Sequence, residues 1–318
     1  MPYILSLQRV KRLCLRASHY LPYAFMLFAL YLMQRQLAGL EFDRLLQTIK
    51  LWQISRLEIA LGLTLFSFLV LSGYDALGIR HSERRLPYRA ILTTSFAAFA
   101  VSNIVGHAIF TGSSVRAKTY RAGGLTLMHI AQIALLNSLT FWLGYALLLG
   151  LTLALAPLPR NLPFLSSFAA PWLGAGLLLF CFGYVWICWK WAGQDLRLKR
   201  LVVKVPRLDT AGLQFLLGCL DITVAALILY TLLPPSIDLD FVPFFILYLL
   251  AQALGVLSQV PGGLGVLDGL LLSFLSGYAD PHQLVVAIIL FRIIYYFLPL
   301  LVTLCAKLLA GVGRLRAL

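Results

Sequence analysis

The chain has 318 residues, of which 61% are hydrophobic and only 12% are charged. This composition excludes a soluble globular domain, because so much apolar surface could not be buried, and it indicates a polytopic all-α membrane protein. The formal net charge of +14 raises nucleic acid as a partner, but the basic residues gather between the apolar runs, which favours anionic lipid heads instead.

Six apolar segments are each about 20 residues or longer, which is enough to cross a hydrocarbon core of ~30 Å. They are residues 19–38, 57–79, 125–156, 168–190, 211–233 and 283–309. The long segment 125–156 is expected to tilt or to break near Gly144. Residues 41–54 mix charged and apolar side chains, which predicts a short helix lying on the membrane interface.

Two further apolar segments, 89–118 and 241–279, are interrupted in mid-course by glycine, proline and polar residues. The breaks fall at residues 102–103, 106–107 and 111–114 in the first segment and at residues 259–265 in the second. Backbone in hydrocarbon must satisfy its own hydrogen bonds, so such breaks are tolerated only where protein or a polar cavity surrounds them. Paired interruptions of this kind are typical of a transporter binding site.

The distribution of charge predicts the orientation of the segments. Lysine and arginine fall mainly in five clusters, at residues 9–16, 80–89, 116–121, 190–207 and 307–316. Loops 156–167, 233–240 and 279–283 carry one basic residue and three acidic ones. By the positive-inside rule both termini are cytoplasmic, and both interrupted segments must be hairpins. The first hairpin enters from the inside and the second from the outside.

The predicted order of helix, helix, hairpin and helix therefore occurs twice, the second time upside down. This order predicts an inverted-topology repeat of residues 19–156 and 168–309 within a single transmembrane domain that spans residues 1–318. Each hairpin is either a pair of short helices or a re-entrant loop, and the sequence leaves both open. The alternative is an ordinary bundle of about ten helices whose glycines only permit close packing.

Asp221 and Arg292 lie about ten residues into their helices, near mid-membrane, where a charge costs at least ~2.5–3.5 kcal/mol. One interpretation pairs them as an ion pair that fixes helix register. The other makes Arg292 the counter-ion of an anionic head group, because the guanidinium fork matches phosphate. Asp75 lies near the inner end of its helix and is expected to face Arg116 or Arg121.

Arg116, Tyr120 and Arg121 directly follow the first hairpin. The two arginines either fix the orientation of the chain in the membrane or recruit a lipid phosphate at the inner leaflet.

The run that contains Gly262, Gly263 and Gly265 permits unusual dihedral angles and close backbone approach. A short helix is predicted to start near Val266, and its N-terminal amide groups would attract an anion. Asp268 lies in the first turn and could cap those groups instead, so the two uses compete.

At these residues the chain resembles the membrane-embedded flippase domain of lysylphosphatidylglycerol synthases (the MprF type) and its standalone YbhN-like relatives. The matching elements are Gly73-Tyr74-Asp75, residues 95–103, Arg116 and Tyr120 with Gly123-Gly124-Leu125, Phe141-Trp142-Leu143-Gly144, residues 261–266, and Arg292 with Tyr295-Tyr296 and Pro299. The resemblance covers residues 20–310. It departs from the family at Asp268, where the family usually has glutamate.

The resemblance implies a bacterial inner-membrane protein that moves lipids between leaflets or assists their movement. Full-length family members carry a soluble domain that transfers an aminoacyl group from tRNA to phosphatidylglycerol. Residues 1–318 hold no such domain, so we expect no aminoacyl transfer and no enzymatic activity.

We therefore expect a translocase-like protein whose opposed hairpins form a polar cavity that accepts an anionic phospholipid or a lipid-linked head group. No nucleotide-binding loop and no metal-ligand spacing are visible, so we expect no cofactor and no metal, with transport downhill or ion-coupled. One rival is an intramembrane lipid-modifying enzyme that uses Asp75, Asp221, His107 or His129. The other is a non-transporting partner subunit with an apolar seam. The sequence leaves the lipid and the oligomeric state open.

Overall fold

The computed structural model describes residues 52–105, 108–159, 166–198 and 201–315, and most of them are helical. The helices are α1 (Ile54–His81), α2 (Tyr88–Val105), α3 (Ala108–Ala122), α4 (Leu127–Leu155), α5 (Ala169–Lys190), α6 (Leu208–Leu232), α7 (Phe241–Leu257), α8 (Val266–Leu275), α9 (Pro281–Phe291) and α10 (Leu298–Leu315). A 3₁₀ turn at Pro261–Gly263 precedes α8, and a π-helical turn at Arg292–Phe297 joins α9 to α10. The predicted class of all-α polytopic membrane protein is confirmed.

Six helical segments in the described ranges are long and apolar enough to cross a membrane. They are α1, α2, α4, α5, α6 and the continuous stretch Pro281–Ala306. Five of them match predicted spans, while α2 belongs to the first hairpin. The predicted span 19–38 and nearly all of the predicted interfacial helix 41–54 lie outside the described residues. Outward-facing side chains such as Trp172, Phe182 and Trp189 are exposed, as expected where hydrocarbon replaces water around a helix.

Both interrupted segments are pairs of helices. Helices α2 and α3 form the first hairpin on either side of residues 106–107, and α7 and α8 form the second. The predicted breaks at residues 102–103 and 111–114 are wrong, because helix continues through both sites. Within the helix the Ser102 hydroxyl donates a hydrogen bond of 2.7 Å to the Ala98 carbonyl, one turn earlier.

Helix α4 is unbroken, so the predicted break near Gly144 is also wrong. The glycine serves packing instead. A Cβ placed at Gly144 would lie 2.3 Å from the carbonyl carbon of Gly218 on α6, and one at Gly218 would lie 2.4 Å from the Thr140 oxygen. Since only glycine fits at this crossing, α4 and α6 approach at backbone distance, as small residues allow in membrane helices.

The two hairpins meet at their tips. A Cβ at Gly262 in the second hairpin would lie 3.1 Å from the Asn103 carbonyl oxygen and 3.2 Å from that of Ile104, both in the first. The long helix that precedes each hairpin, α1 for the first and α6 for the second, also packs against its counterpart. Helix, hairpin and helix thus occur twice in the described chain, while the opposite orientation of the two halves stays a prediction.

A short antiparallel β-hairpin, which the sequence analysis did not predict, follows α5. Strand β1 (Asp195–Leu198) pairs with β2 (Leu201–Lys204), with Asp195 opposite Lys204. Strand β1 alternates polar and apolar residues, which is a strand pattern. In the sequence the segment stands out only as a cluster of basic residues. Lys204 donates a hydrogen bond of 2.6 Å to Glu83 in the loop after α1.

Candidate functional site

A cavity of about 570 Å³ lies where the two hairpins meet the long helices. Helices α1, α2, α3, α4, α6, α7 and α8 line it together with the glycine turn and the π-helical turn. Aromatic side chains, among them Tyr74, Trp142 and Tyr248, form much of its wall. Among the described residues that line it, only Arg116 and Asp221 are charged.

Asp75 on α1 is fully buried and is the centre of a hydrogen-bonded cluster. Arg116 on α3 donates from Nε to both carboxylate oxygens, at 3.0 and 2.8 Å. The Tyr120 hydroxyl donates at 2.7 Å, and Asn137 Nδ2 on α4 donates at 2.6 Å. We call Asp75, Arg116, Tyr120 and Asn137 the first cluster. It ties α1, α3 and α4 together, and it confirms the predicted contact of Asp75 with Arg116.

Two atoms of the first cluster are buried without a hydrogen-bond partner in the part of the chain that the structure describes. They are Arg116 Nη2, a donor, and Asn137 Oδ1, an acceptor. A buried polar group left unsatisfied costs ~1–3 kcal/mol, so such exceptions call for a water or a ligand. Both residues line the cavity, so a group in the cavity that accepts and donates hydrogen bonds would satisfy these two atoms if a shift of the side chains exposed them to it.

Local sequence explains how Arg116 reaches this position. A Cβ at Gly112, one helical turn earlier on α3, would lie 2.5 Å from Arg116 Nη1, so glycine leaves the space that the guanidinium occupies. The group also lies 4.7 Å from the centre of the Phe99 ring, at cation–π distance. Arg116 is therefore a buried residue, 3% exposed, and not the surface residue of a topology signal.

Arg292 in the π-helical turn is the centre of a second cluster. Its Nε donates to Asp268 Oδ1 at 2.9 Å, Nη1 donates to the Gly262 carbonyl at 2.6 Å, and Nη2 donates to the Gly263 carbonyl at 3.3 Å. The guanidinium lies 4.6 Å from the centre of the Tyr296 ring. We call Asp268, Arg292, Gly262 and Gly263 the second cluster. Every nitrogen of Arg292 bonds within the protein.

The turn in the second cluster requires glycine because of its backbone conformation. Gly262, Gly263 and Gly265 all have positive φ, at 60°, 60° and 78°, where a Cβ is unfavourable. The Gly265 amide donates to Asp268 Oδ2 at 2.9 Å, so Asp268 caps the helix that begins at Val266. The sequence left open whether this helix N-terminus binds an anion or is capped by Asp268, and in the structure Asp268 caps it.

The predicted pairing of Asp221 with Arg292 is wrong. Arg292 pairs with Asp268, while Asp221 Oδ2 accepts a hydrogen bond of 3.1 Å from the Tyr74 hydroxyl on α1. Sequence position set the depth of both charges along their helices, but it did not set the direction in which they point.

The remaining predicted residues are divided between the cavity and the surface. Tyr295 lines the cavity, with its hydroxyl 3.2 Å from Ser67 Oγ. Arg121 is exposed at the end of α3, and the hydrogen bonds that hold the first cluster together do not involve it. His129 helps to cap α4, where its Nδ1 accepts from the Thr126 amide, and His107 lies outside the described residues.

Asn137 is the cluster residue that the sequence analysis missed. Its signal is an amide side chain within the apolar run of α4, between Leu136 and Ser138. A polar residue inside a membrane helix is costly and marks a partner or a site.

The described residues show neither a metal-binding group of side chains nor an acid paired with a histidine in the cavity. In the described ranges no group of three or more His, Cys, Asp and Glu side chains could hold a metal ion. No described histidine lines the cavity, so Asp221 lies beside no imidazole there.

Comparison with known proteins places the chain among membrane proteins. The family model described as the lysylphosphatidylglycerol synthase TM region matches residues 20–303. An uncharacterized protein of Synechocystis is 33% identical over 254 residues, which cover 77% of this chain and 76% of the relative. Inner membrane protein YbhN of Escherichia coli is 27% identical over 296 residues, 92% of each chain. Phosphatidylglycerol lysyltransferase of Staphylococcus aureus is 26% identical over 294 residues, 88% of this chain but 32% of the relative.

Proposed function

The chain belongs to the lysylphosphatidylglycerol synthase transmembrane family, and from that premise we propose that it translocates a phospholipid or lipid-linked head group between leaflets, or assists that movement. The observation that carries the proposal is the cavity at the junction of the hairpins, with Arg116 Nη2 buried beside it and unpartnered. A lipid phosphate offers the acceptor oxygens that this nitrogen lacks, and the acyl tails would stay in the bilayer.

Each cluster has a separate part in the proposal. Arg116 and Asn137 contact the head group, while Asp75 holds both in place. Arg292 and Asp268 shape the glycine turn at Gly262, which also lines the cavity. The contacts of the second cluster make it a positioning element, whereas the sequence alone had suggested Arg292 as the phosphate counter-ion.

Location and orientation belong to the same proposal. The similarity to YbhN, which is named an inner membrane protein, supports the bacterial inner membrane. The basic clusters support cytoplasmic termini. In that orientation Arg121, exposed at the end of α3, lies at the cytoplasmic surface and recruits anionic head groups from the inner leaflet.

The two rival functions gain less support. A lipid-modifying enzyme would be favoured by an acid and a histidine side by side in an open pocket, and no described histidine lines the cavity. A partner subunit would be favoured by an apolar seam without a cavity, whereas a cavity of about 570 Å³ is present.

The test uses proteoliposomes that contain fluorescently labelled phosphatidylglycerol, with a membrane-impermeant quencher added outside. Arg116→Lys keeps a positive charge beside Asp75 but replaces the three-nitrogen fork by one nitrogen. Loss of one charge-assisted hydrogen bond to the phosphate, worth ~1.5–3 kcal/mol, should slow translocation by about 10- to 100-fold.

Arg85→Gln is the matched control, because it removes an exposed charge in the loop after α1 and should leave the rate unchanged. Folded Arg116→Lys protein that translocates at the wild-type rate would remove Arg116 from the mechanism. Wild-type protein that moves no lipid faster than empty liposomes would refute the proposed function itself.

A further inference from the structure

Three aspartates lie buried among the described helices, and they differ in how their charge is balanced. Asp75 pairs with Arg116 at 2.8 Å, and Asp268 pairs with Arg292 at 2.8 Å. Asp221 is 7% exposed and lines the cavity, yet no salt bridge to it occurs in the part of the chain that the structure describes. Its hydrogen-bond donor there is the neutral Tyr74 hydroxyl.

The charge of the cavity therefore depends on Asp221. Each arginine is balanced by its own aspartate, so an ionised Asp221 would make the cavity wall negative by one charge. An unpaired buried carboxylate is so costly that such groups bind a cation or a proton instead. A metal ion would need several oxygen ligands, and among the described residues no three His, Cys, Asp or Glu side chains lie together to supply them. A proton needs no further ligand.

We propose that Asp221 is a proton-binding site of the cavity, and that its protonation is linked to the binding of a phosphodiester head group beside Arg116. The proposal rests on the proposed function for the identity of the anion. A phosphodiester carries one negative charge into a cavity that Asp221 also lines, and two like charges in one cavity repel. Head-group binding and ionisation of Asp221 therefore oppose each other.

Among the side chains that face Asp221 from the neighbouring helices, only Asp221 itself is expected to gain or lose a proton near physiological pH. Electrostatic neighbours of Asp221 are the hydroxyls of Tyr74 on α1, Tyr248 on α7, and Tyr295 and Tyr296 in the π-helical turn. Phenols remain neutral at physiological pH. On α4, Tyr145 donates to the Leu249 carbonyl, and on α5, Tyr184 donates to Gln214.

Linkage gives the sign of the effect. The protonated form of Asp221 accepts the anion more readily, so lipid binding should take up about one proton and affinity should fall as pH rises through the range in which Asp221 ionises. The fall approaches about tenfold for each pH unit once Asp221 is mostly ionised.

The experiment measures binding of dioctanoyl phosphatidylglycerol to the full chain in detergent by titration calorimetry. Runs across a pH series, in two buffers of different ionisation enthalpy, give affinity and proton uptake. Asp221→Asn mimics the protonated carboxyl and keeps a partner for Tyr74, so it should bind with pH-independent affinity and no proton uptake. Asp209→Asn makes the same change at an exposed position of α6 and should retain the wild-type pH dependence.

Two results would overturn the proposal, namely wild-type protein that binds this lipid without proton uptake, or an Asp221→Asn variant that keeps the wild-type pH dependence. Infrared spectroscopy of the lipid-free protein tests the proton site independently of the proposed function. A protonated-carboxyl band should be present in wild type and in Asp209→Asn but absent from Asp221→Asn. Without that band at any pH the proton site is refuted. With the band but no lipid binding at any pH, the linkage to this head group is refuted and the proton site stands.

Discussion

The two hairpins are held by clusters made of the same parts in opposite places. In the first, the arginine is on hairpin helix α3 and the aspartate is on the long helix α1. In the second, the aspartate is on hairpin helix α8 and the arginine is in the long span after the hairpin. Each guanidinium also lies over an aromatic ring, Phe99 or Tyr296, at nearly the same distance.

The clusters differ in which side chain has all its hydrogen bonds made within the protein. Three residues donate to Asp75, which leaves Arg116 Nη2 unpartnered among the described residues. In the second cluster the carboxylate and two carbonyl oxygens take all three nitrogens of Arg292. An ion pair with a spare donor at a cavity suits binding, whereas one without a spare donor suits stability. Sequence position alone gave neither arginine its partners, and the partners are what distinguish the two clusters.

The largest effect on stability should come from opening the second cluster. Arg292→Ala leaves Asp268 buried without its cation and frees two carbonyl groups, and the loss of one partner of a buried pair costs ~3–5 kcal/mol. We expect a marked fall in unfolding temperature, measured on purified protein in detergent, and a lower yield of folded protein.

The double variant Arg292→Ala/Asp268→Ala is the control, because removal of both charges should recover part of the loss. Arg116→Lys should be close to wild type in the same assay, since it retains the ion pair. If Arg292→Ala unfolds at the wild-type temperature, the structural role assigned to the second cluster is wrong.

An intermediate effect should follow Gly262→Ala, which tests the contact between the hairpin tips. Gly262 has a φ of 60°, and a Cβ there would lie 3.1 Å from the Asn103 carbonyl oxygen. The left-handed conformation alone costs an L-residue ~1–2 kcal/mol. Thermal unfolding should show a moderate loss of stability, and translocation should slow because the cavity wall is displaced.

Gly62→Ala is the matched control for that change. A Cβ at Gly62 on α1 meets no atom within 4 Å, and alanine stabilises a helix interior by ~0.5–1 kcal/mol relative to glycine. Equal losses in the two variants would mean that neither the φ angle nor the tip contact of Gly262 matters.

The smallest effect should come from Glu83→Gln, which breaks an exposed ion pair as a counterpart to the two buried ones. Lys204 lowers the pKa of Glu83, first by its hydrogen bond and then by its charge. The pair's contribution is present above the pKa of Glu83 in the unfolded chain and is lost as pH falls through the lower folded pKa. The pKa of Lys204 is raised by the same hydrogen bond, so the contribution is also lost as pH rises through that raised value.

Exposed pairs contribute little because solvent screens them. The unfolding temperature of Glu83→Gln should match the wild-type value within error at neutral pH and in acid. A loss as large as that of Arg292→Ala would contradict the distinction between buried and exposed pairs.

Much of the fold could be predicted because membrane helices are specified locally. The lengths of α1, α4, α5 and α6 follow from the number of apolar residues needed to cross the bilayer. The hairpins followed from charge and interrupted apolar runs, and both are present as helix pairs. The predicted breaks at residues 102–103 and at Gly144 failed, because serine and glycine are compatible with a helix whose neighbours supply packing.

The site was predicted residue by residue but not as an arrangement. Asp75, Arg116, Asp221, Asp268 and Arg292 stand out in the sequence because each is charged in or beside an apolar run. The contact of Asp75 with Arg116 was predicted as one of two choices, whereas Arg292 pairs with Asp268 and not with Asp221. Asn137 was missed because an amide carries no charge and stands out less.

The sequence by itself determined that this protein crosses a membrane several times, where its hairpins are, and how far along their helices its charges lie. These properties depend on hydrophobicity counted along the chain, and hydrophobicity is local. Only the tertiary structure decided which charge neutralises which and which groups remain to meet a ligand. Pairing depends on how helices rotate and pack against one another, and residues as distant as Asp75 and Asn137 meet only after the helices have packed.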